Sequence, residues 1–203
     1  MARKLTPRGK ERRTQLMEFA VERFAVQGYH PTSVSEIVDG LGVGKGVFYW
    51  YFDSKEQLFL EILRDAQTDL RRKQQQAIAD EADPVRRIEL GLRASIAWSD
   101  THRAHNQLIR FAATEAAFAG ALRRGEEVAV ADVVKHVKEA MAAGLVRDTD
   151  PELVAHAMVG AAAHLTRTFV LERNEPPDEV ADACVAFCLE GLLGGLERPA
   201  ATS

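Results

Sequence analysis

The stretch TSVSEIVDGLGVGKGVFYWYFDSKEQL, residues 32–58 of a 203-residue chain, constrains the fold more than any other. Ser33 and Glu36 have the spacing of a capping box, in which the hydroxyl accepts from the amide three residues on and the carboxylate reaches back to the cap amide. A short helix follows, from Val34 to about Leu41, with Val34, Ile37, Val38 and Leu41 on one face. Gly40 and Gly42 mark a tight turn, because glycine adopts positive φ without steric cost. A second short helix runs from about Gly44 to Trp50, and Ser54 with Gln57 repeats the box spacing to open a third helix at once. Helices this short cannot bury a core alone, so longer neighbours must brace them.

Two short helices joined by a glycine turn are the helix-turn-helix layout, whose second helix enters the major groove of DNA. Here the second helix carries Lys45, Gly46, Val47, Tyr49 and Trp50. Lys45 reaches a phosphate or a guanine edge, and Val47 a thymine methyl. Gly46 lets backbone approach a surface, Tyr49 offers a hydroxyl to a phosphate oxygen, and Gly44 before them is also in the candidate set. Lys55 supplies a charge at the mouth of the next helix, and Thr32 and Ser33 join the candidate set at the start of the first short helix. The run from Tyr49 to Phe52 also reads as a small aromatic core, to which Phe48 and Phe52 are assigned.

The stretch resembles the N-terminal domain of the TetR (tetracycline repressor) family of transcriptional regulators. The resemblance begins with LMEFAVERFAVQGYHPTSVSEIV, from Leu16 to Val38, including Phe24 and Gly28–Tyr29. It continues through Gly42–Val43, Gly46, Phe48–Tyr49, Tyr51–Phe52, Lys55 and Leu58. Gly44 departs from it, standing where the family usually has a Ser or Thr cap, and glycine there costs only about a few tenths of a kcal/mol. Val38 and Leu41 stand where Ala is common, which implies a bulkier contact between the first helices.

Charge is divided along the chain. Residues 1–55 carry a net +3 and the remainder −7, within an overall −4. A basic head on an acidic body is the asymmetry expected if only the head meets DNA. Residues 1–7 read as a basic arm, and Arg3, Lys4, Arg8, Lys10, Arg12 and Arg13 cluster with Glu11 as the only opposing charge. No apolar run approaches the ~20 residues of a membrane span, and no signal-peptide pattern occurs, so a cytoplasmic protein with no membrane association is expected. Cys184 and Cys188, the two cysteines, are read as small apolar residues in a reducing compartment.

Taken in order, the remaining periodicities are all helical. Helix one covers about 8–27, helix four 54–80, helix five 84–101, helix six 103–117, helix seven 119–143, helix eight 151–173 and helix nine 177–198. Asp83–Pro84 and Asp150–Pro151 are cap-and-proline starts. About nine helices with short connections and no strand pattern predict an all-α fold. A three-helix head over 1–53 and a helical ligand-binding and dimerisation body over 54–203 are expected.

In the body, Ala157, Gly160 and Ala161 on helix eight and Cys184, Cys188 and Leu192 on helix nine are small or apolar residues at helical spacing. They read either as tight packing within one chain or as a four-helix bundle across a two-fold axis. The resemblance implies the second, and one helix-turn-helix reads few base pairs unless a dimer presents two. The resemblance also implies a ligand cavity. Trp98, His102, Asn106, Phe111, Glu115, His164, Arg167 and Thr168 are candidates for its mixed apolar and polar lining. His102 and His105 are spaced for one helix face, but no third metal ligand is fixed by spacing, so no metal and no cofactor is assigned.

These readings point to a homodimeric transcriptional regulator that binds double-stranded operator DNA and is released as a repressor by a small-molecule effector. The alternatives are a DNA-binding regulator without such a ligand and an all-α enzyme. The chain has no nucleophile elbow or phosphate loop to support the latter.

Overall fold

The structure, a computed structural model, describes residues 5–193. Among them are nine α-helices and no strand. The helices are α1 Pro7–Gln27, α2 Val34–Gly40, α3 Lys45–Tyr51, α4 Lys55–Ala77, α5 Pro84–Thr101, α6 Arg103–Thr114, α7 Ala116–Ala142, α8 Pro151–Leu165 and α9 Pro177–Leu193. The chain forms two compact units. The first holds the described residues up to Thr68 together with His102–Arg124, and the second holds Asp69–Thr101 with the described residues from Gly125 onward.

In the first unit α1 begins earlier than its periodicity suggests. The Thr6 hydroxyl accepts from the Gly9 amide at 3.2 Å and Pro7 fills the first helical position, so the expected basic arm is already helix at Pro7. Leu16, Met17, Ala20, Val21 and Phe24 form the buried stripe of α1, which ends at Gly28 with φ 89°. The expected capping box opens α2. The Ser33 amide donates to Glu36 at 2.7 Å, and the Glu36 amide donates to the Ser33 hydroxyl at 3.2 Å.

The two turn glycines have different reasons to be glycine. Gly42 takes φ 63° after α2, as expected. Gly40 does not: it lies within α2, and a Cβ there would come 2.1 Å from Cζ of Phe19. It is the Phe19 ring, and not a backbone constraint, that a side chain at that position would have to displace.

The second box is modified. The Gln57 amide donates to the Ser54 hydroxyl at 3.0 Å, but the Gln57 side chain accepts from the amide of Asp53, one residue before the cap. Beyond it, Leu58, Phe59, Ile62 and Leu63 of α4 are buried with Phe48 and Phe52, and Leu108, Ala112 and Phe118 close the same core. The compact unit therefore extends past the 53/54 boundary, because α6 and the start of α7 supply part of its interior.

In the second unit α5 packs chiefly on α9. Ile88, Leu92 and Ile96 meet Val137, Met158, Ala162, Val180, Ala181, Cys184, Val185 and Cys188. Asp150 caps α8 as its sequence predicts, accepting from the amides of Glu152 at 2.9 Å and Leu153 at 3.3 Å. The helix expected over 151–173 is not uniform: after Leu165 it continues as a π-helical segment, Thr166–Glu172, and Asn174 beyond it takes φ 57°.

Candidate nucleic-acid interface

One face of α3 is anchored and the other is exposed. Phe48 is fully buried and packs on Phe52 with ring centroids 5.5 Å apart, which fixes the helix roll. Tyr49 and Trp50 follow it and remain 55% and 48% exposed. Two large aromatic rings half in water, on a helix whose Phe48 ring is wholly buried, are the feature of a contact surface. Lys45 and Gly46 are also exposed, Val47 is half-buried, and the Gly44 cap has open space where a Cβ would stand. Gly44, Lys45, Gly46, Val47, Tyr49 and Trp50 thus form one continuous strip around the start and outer side of α3.

Ser33 is exposed at the start of α2, with its hydroxyl engaged by the Glu36 amide. Glu36 is held below its ordinary value of 4.5, first by its bond to the Ser33 backbone.

Two residues of the expected DNA-contact set face elsewhere. Thr32 is fully buried, and its hydroxyl donates to the Gly28 carbonyl at 2.8 Å, closing the turn after α1. Lys55 is turned inward as well. Its ammonium donates to the carbonyls of Tyr29 at 2.8 Å, His30 at 3.3 Å and Thr32 at 2.8 Å, and lies 4.3 Å from the centroid of the Tyr29 ring. Burial lowers its pKa from the ordinary lysine value, and Glu36 opposes that shift. An ammonium has three hydrogens, and here three carbonyls face it. The expectation that Lys55 offers a charge to DNA is corrected on that ground.

Arg13 is likewise withdrawn from the basic cluster at the start of α1. It pairs with Glu61, lies 3.7 Å from Asp65 and covers the Phe52 ring. Arg8 and Lys10 remain exposed.

The residues expected to line a ligand cavity are distributed over both units. In the first, Phe111 belongs to an aromatic cluster, with centroids 5.3 Å from Tyr29, 5.4 Å from His30 and 5.8 Å from Phe59. Glu115 caps the end of α6 and meets His30 Nε2 at 3.1 Å. Those two residues build the head's own packing, a role their sequence positions do not reveal because the partners lie far away in the chain. The Asn106 side chain donates to the His102 carbonyl at 3.1 Å, and the His102 and His105 rings stand 5.7 Å apart. Among the described residues no group of three His, Cys, Asp or Glu converges as a metal site.

In the second unit Trp98 is buried, its indole donating to Asp69 at 2.8 Å. Arg167 donates to His164 Nδ1 at 2.9 Å on the exposed side, and Thr168 is half-buried in the π-helical segment.

Residues expected at a dimer interface divide by helix face. Ala157 and Gly160 on α8 are exposed, and Ala161 is half-buried. Cys184 and Cys188 are buried in the core of their own chain against α5, so they do not reach an outer face. The side chain of Leu192 lies outside the described residues. Sequence reasoning missed the outward residues of this pair of helices: Leu153 on α8 is 68% exposed and Phe187 on α9 is 70% exposed. Phe187 follows Ala183 at i, i+4 spacing one position round from the cysteine stripe, and that offset was the available signal. No helix among the described residues is long and apolar enough to cross a membrane.

Residues 16–62 match the family described as "Bacterial regulatory proteins, tetR family". The chain is 29% identical to the uncharacterized HTH-type transcriptional regulator YdgC of Bacillus subtilis, over 92% of this chain and 95% of that protein. Its fold is similar to that of a TetR-family transcriptional regulator from Syntrophomonas wolfei, with a TM-score of 0.82 at 20% identity over 94% of this chain and 99% of that one. It is also similar to the transcriptional regulator FadR from Bacillus subtilis in complex with stearoyl-CoA, with a TM-score of 0.76 at 16% identity over 88% and 98% of the two chains.

Proposed function

We propose that this chain, whose residues 16–62 match the tetR family of bacterial regulatory proteins, is a homodimeric repressor that binds operator DNA through α3 and is released by a small-molecule ligand. It is a DNA-binding transcriptional regulator and not an enzyme.

The observation that carries the DNA contact is the exposed Tyr49–Trp50 pair on a helix pinned by buried Phe48. Lys45 and Tyr49 supply phosphate or base-edge contacts, and Val47 with Trp50 supplies apolar ones. Ser33 and the backbone at Gly44 and Gly46 flank them. The exposed Leu153 and Phe187, with Ala157, Gly160 and Ala183 beside them, support α8 and α9 as the surface where two chains meet. Two heads then read two half-sites about 34–36 Å apart or a multiple of that. The protein works in the cytoplasm, where its operator is.

The stearoyl-CoA complex of the FadR relative supports a small-molecule effector. Trp98, His164, Arg167 and Thr168, all of the second unit, are the residues proposed to meet it. The effector acts only to the extent that its affinity differs between two states of the protein, and a coupling of about 1–3 kcal/mol is typical.

The test is fluorescence anisotropy with duplex DNA from upstream of the protein's own gene, at several salt concentrations and with a panel of ligands that includes a long-chain acyl-CoA. The reading requires a duplex-specific complex of two chains per site that weakens with salt. No preference over random duplex, there and after selection from a random pool, overturns it.

A further inference from the structure

We infer that Lys55 is a positioning residue for DNA binding, one that closes the helix-turn-helix at both ends and touches no DNA itself. The inference deepens the repressor reading and rests on α3 being the DNA-contacting helix.

The geometry is specific. Thr32 and Ser33 immediately precede α2, and Lys55 immediately follows the short link after α3. The whole of α2 and α3 is therefore the stretch of chain between Thr32 and Lys55, and the bond from Nζ to the Thr32 carbonyl joins its two ends. The bonds to Tyr29 and His30 extend the hold to the turn after α1. That turn is itself fixed, since the Tyr29 ring packs 5.4 Å from Phe24, 4.9 Å from Phe59 and 5.4 Å from Phe118.

The charge is also where the backbone wants one. Carbonyls at and beyond a helix C-terminus attract a cation, and α1 has no basic residue in its last turn. Lys55, reaching across from α4, fills that place. Pro31 lies between the bonded carbonyls, so the turn has one fewer amide with which to form bonds of its own.

A phosphate could engage this ammonium only by displacing one of the three carbonyls, which would loosen the same turn that places α2. Direct contact and positioning therefore predict different outcomes. A lysine on a phosphate contributes to the salt dependence of binding, whose log–log slope falls by about 0.9 for each phosphate left without its cation. A lysine that positions the reading helix contributes affinity without contributing to that slope. Arginine also discriminates. It serves well against a phosphate, but its planar fork cannot match three carbonyls around one nitrogen beneath an aromatic ring.

The experiment compares wild type, Lys55→Met, Lys55→Arg and Lys45→Ala on an operator duplex selected with the full-length protein, reading affinity against salt. The competent fraction is set by stoichiometric titration. Lys55→Met and Lys55→Arg are expected to bind about tenfold or more weakly at every salt concentration, with the wild-type slope. Lys45→Ala is expected to lose slope. Unchanged affinity in Lys55→Met, a slope lower by about 0.9 per chain, or full rescue by arginine would each overturn the assignment.

Amide hydrogen exchange on the DNA-free proteins gives a second readout. Faster exchange over residues 32–40 in Lys55→Met, with α9 unchanged, is expected; equal exchange in both proteins overturns the clamp. Because that arm needs no operator, a wild type that selects no duplex refutes the repressor reading while the clamp is still decided.

Discussion

Tyr49 and Trp50 stand beside Phe48 on one short helix, and the three rings have opposite obligations. Phe48 is fully buried and holds α3 in place, while the other two leave about half their surface in water. Replacing Tyr49 by alanine removes a hydroxyl and an exposed ring but little packing. Operator affinity is therefore expected to fall about tenfold, as when one specific interaction with DNA is removed, with the melting temperature unchanged in differential scanning fluorimetry. Equal affinity would remove Tyr49 from the interface.

Gly40 carries a different kind of information. It sits in ordinary helix, where alanine would normally help, yet the Phe19 ring occupies the Cβ position. Gly40→Ala is expected to destabilise the protein by about 1–3 kcal/mol in urea denaturation, and Phe19→Leu in the same chain to recover part of the deficit. The sequence shows the glycine but not the ring above it, because the ring arrives from α1. Lys55 is the same case with opposite polarity. Its type and position suit a DNA contact, and only the fold brings the three carbonyls to it.

At the scale of elements, whatever depends on near neighbours in the chain is legible in the sequence. Capping boxes and cap-and-proline starts depend on residues two or three positions apart, so their chemistry is visible in a linear string. The Ser33–Glu36 box and the Asp150 cap form as expected. Asp150→Ala is expected to cost about 1 kcal/mol of stability, measured by thermal unfolding, since two amides at the start of α8 lose their acceptor. The Glu36 arm of the box is pH-sensitive in a defined direction. Its carboxyl lies below the ordinary 4.5 in the folded chain, so the support it gives is present above that value and is lost as pH falls through the lower folded value. An NMR titration of the Ser33 amide should have its midpoint below 4.5.

The π-helical stretch after Leu165 carries no such signal, because a change from i→i−4 to i→i−5 bonding leaves side-chain types free. The ends of α6 and α7 also differ from the periodicity, which continues across the break at Glu115. What stops α6 there is a bend whose carboxylate is held by His30, a residue from the far end of the sequence.

For the whole molecule, the all-α class follows from the sequence, while the faces of α8 and α9 do not. Small residues on two helices point to both helices of the proposed subunit contact but include the inward side, where the cysteines pack on α5. The outward side is marked by Leu153 and Phe187. Phe187→Lys would place a charge in an apolar contact without disturbing the core beneath it. It is expected to convert the proposed dimer to a single chain of 22.4 kDa in light scattering and to weaken operator binding while leaving helicity intact. A dimer of unchanged mass would place the interface elsewhere.

The first unit is not a continuous stretch of chain: it takes in the described residues up to Thr68 and then His102–Arg124. A reading head is often pictured as a cassette that evolution, or an engineer, can move from one regulator to another. Here the cut that looks natural in the sequence, after residue 53, would strip the head of Phe59, whose ring lies 4.5 Å from Phe118, and of the Glu115 partner of His30. A chimera that borrows only those first residues inherits its recipient's α6, and must match it to the donor's Tyr29 and His30. Exchange of heads among such regulators should therefore succeed when the α6 stretch travels with the N-terminus, and new operator preferences should arise more readily by substitution along α3 than by recombination.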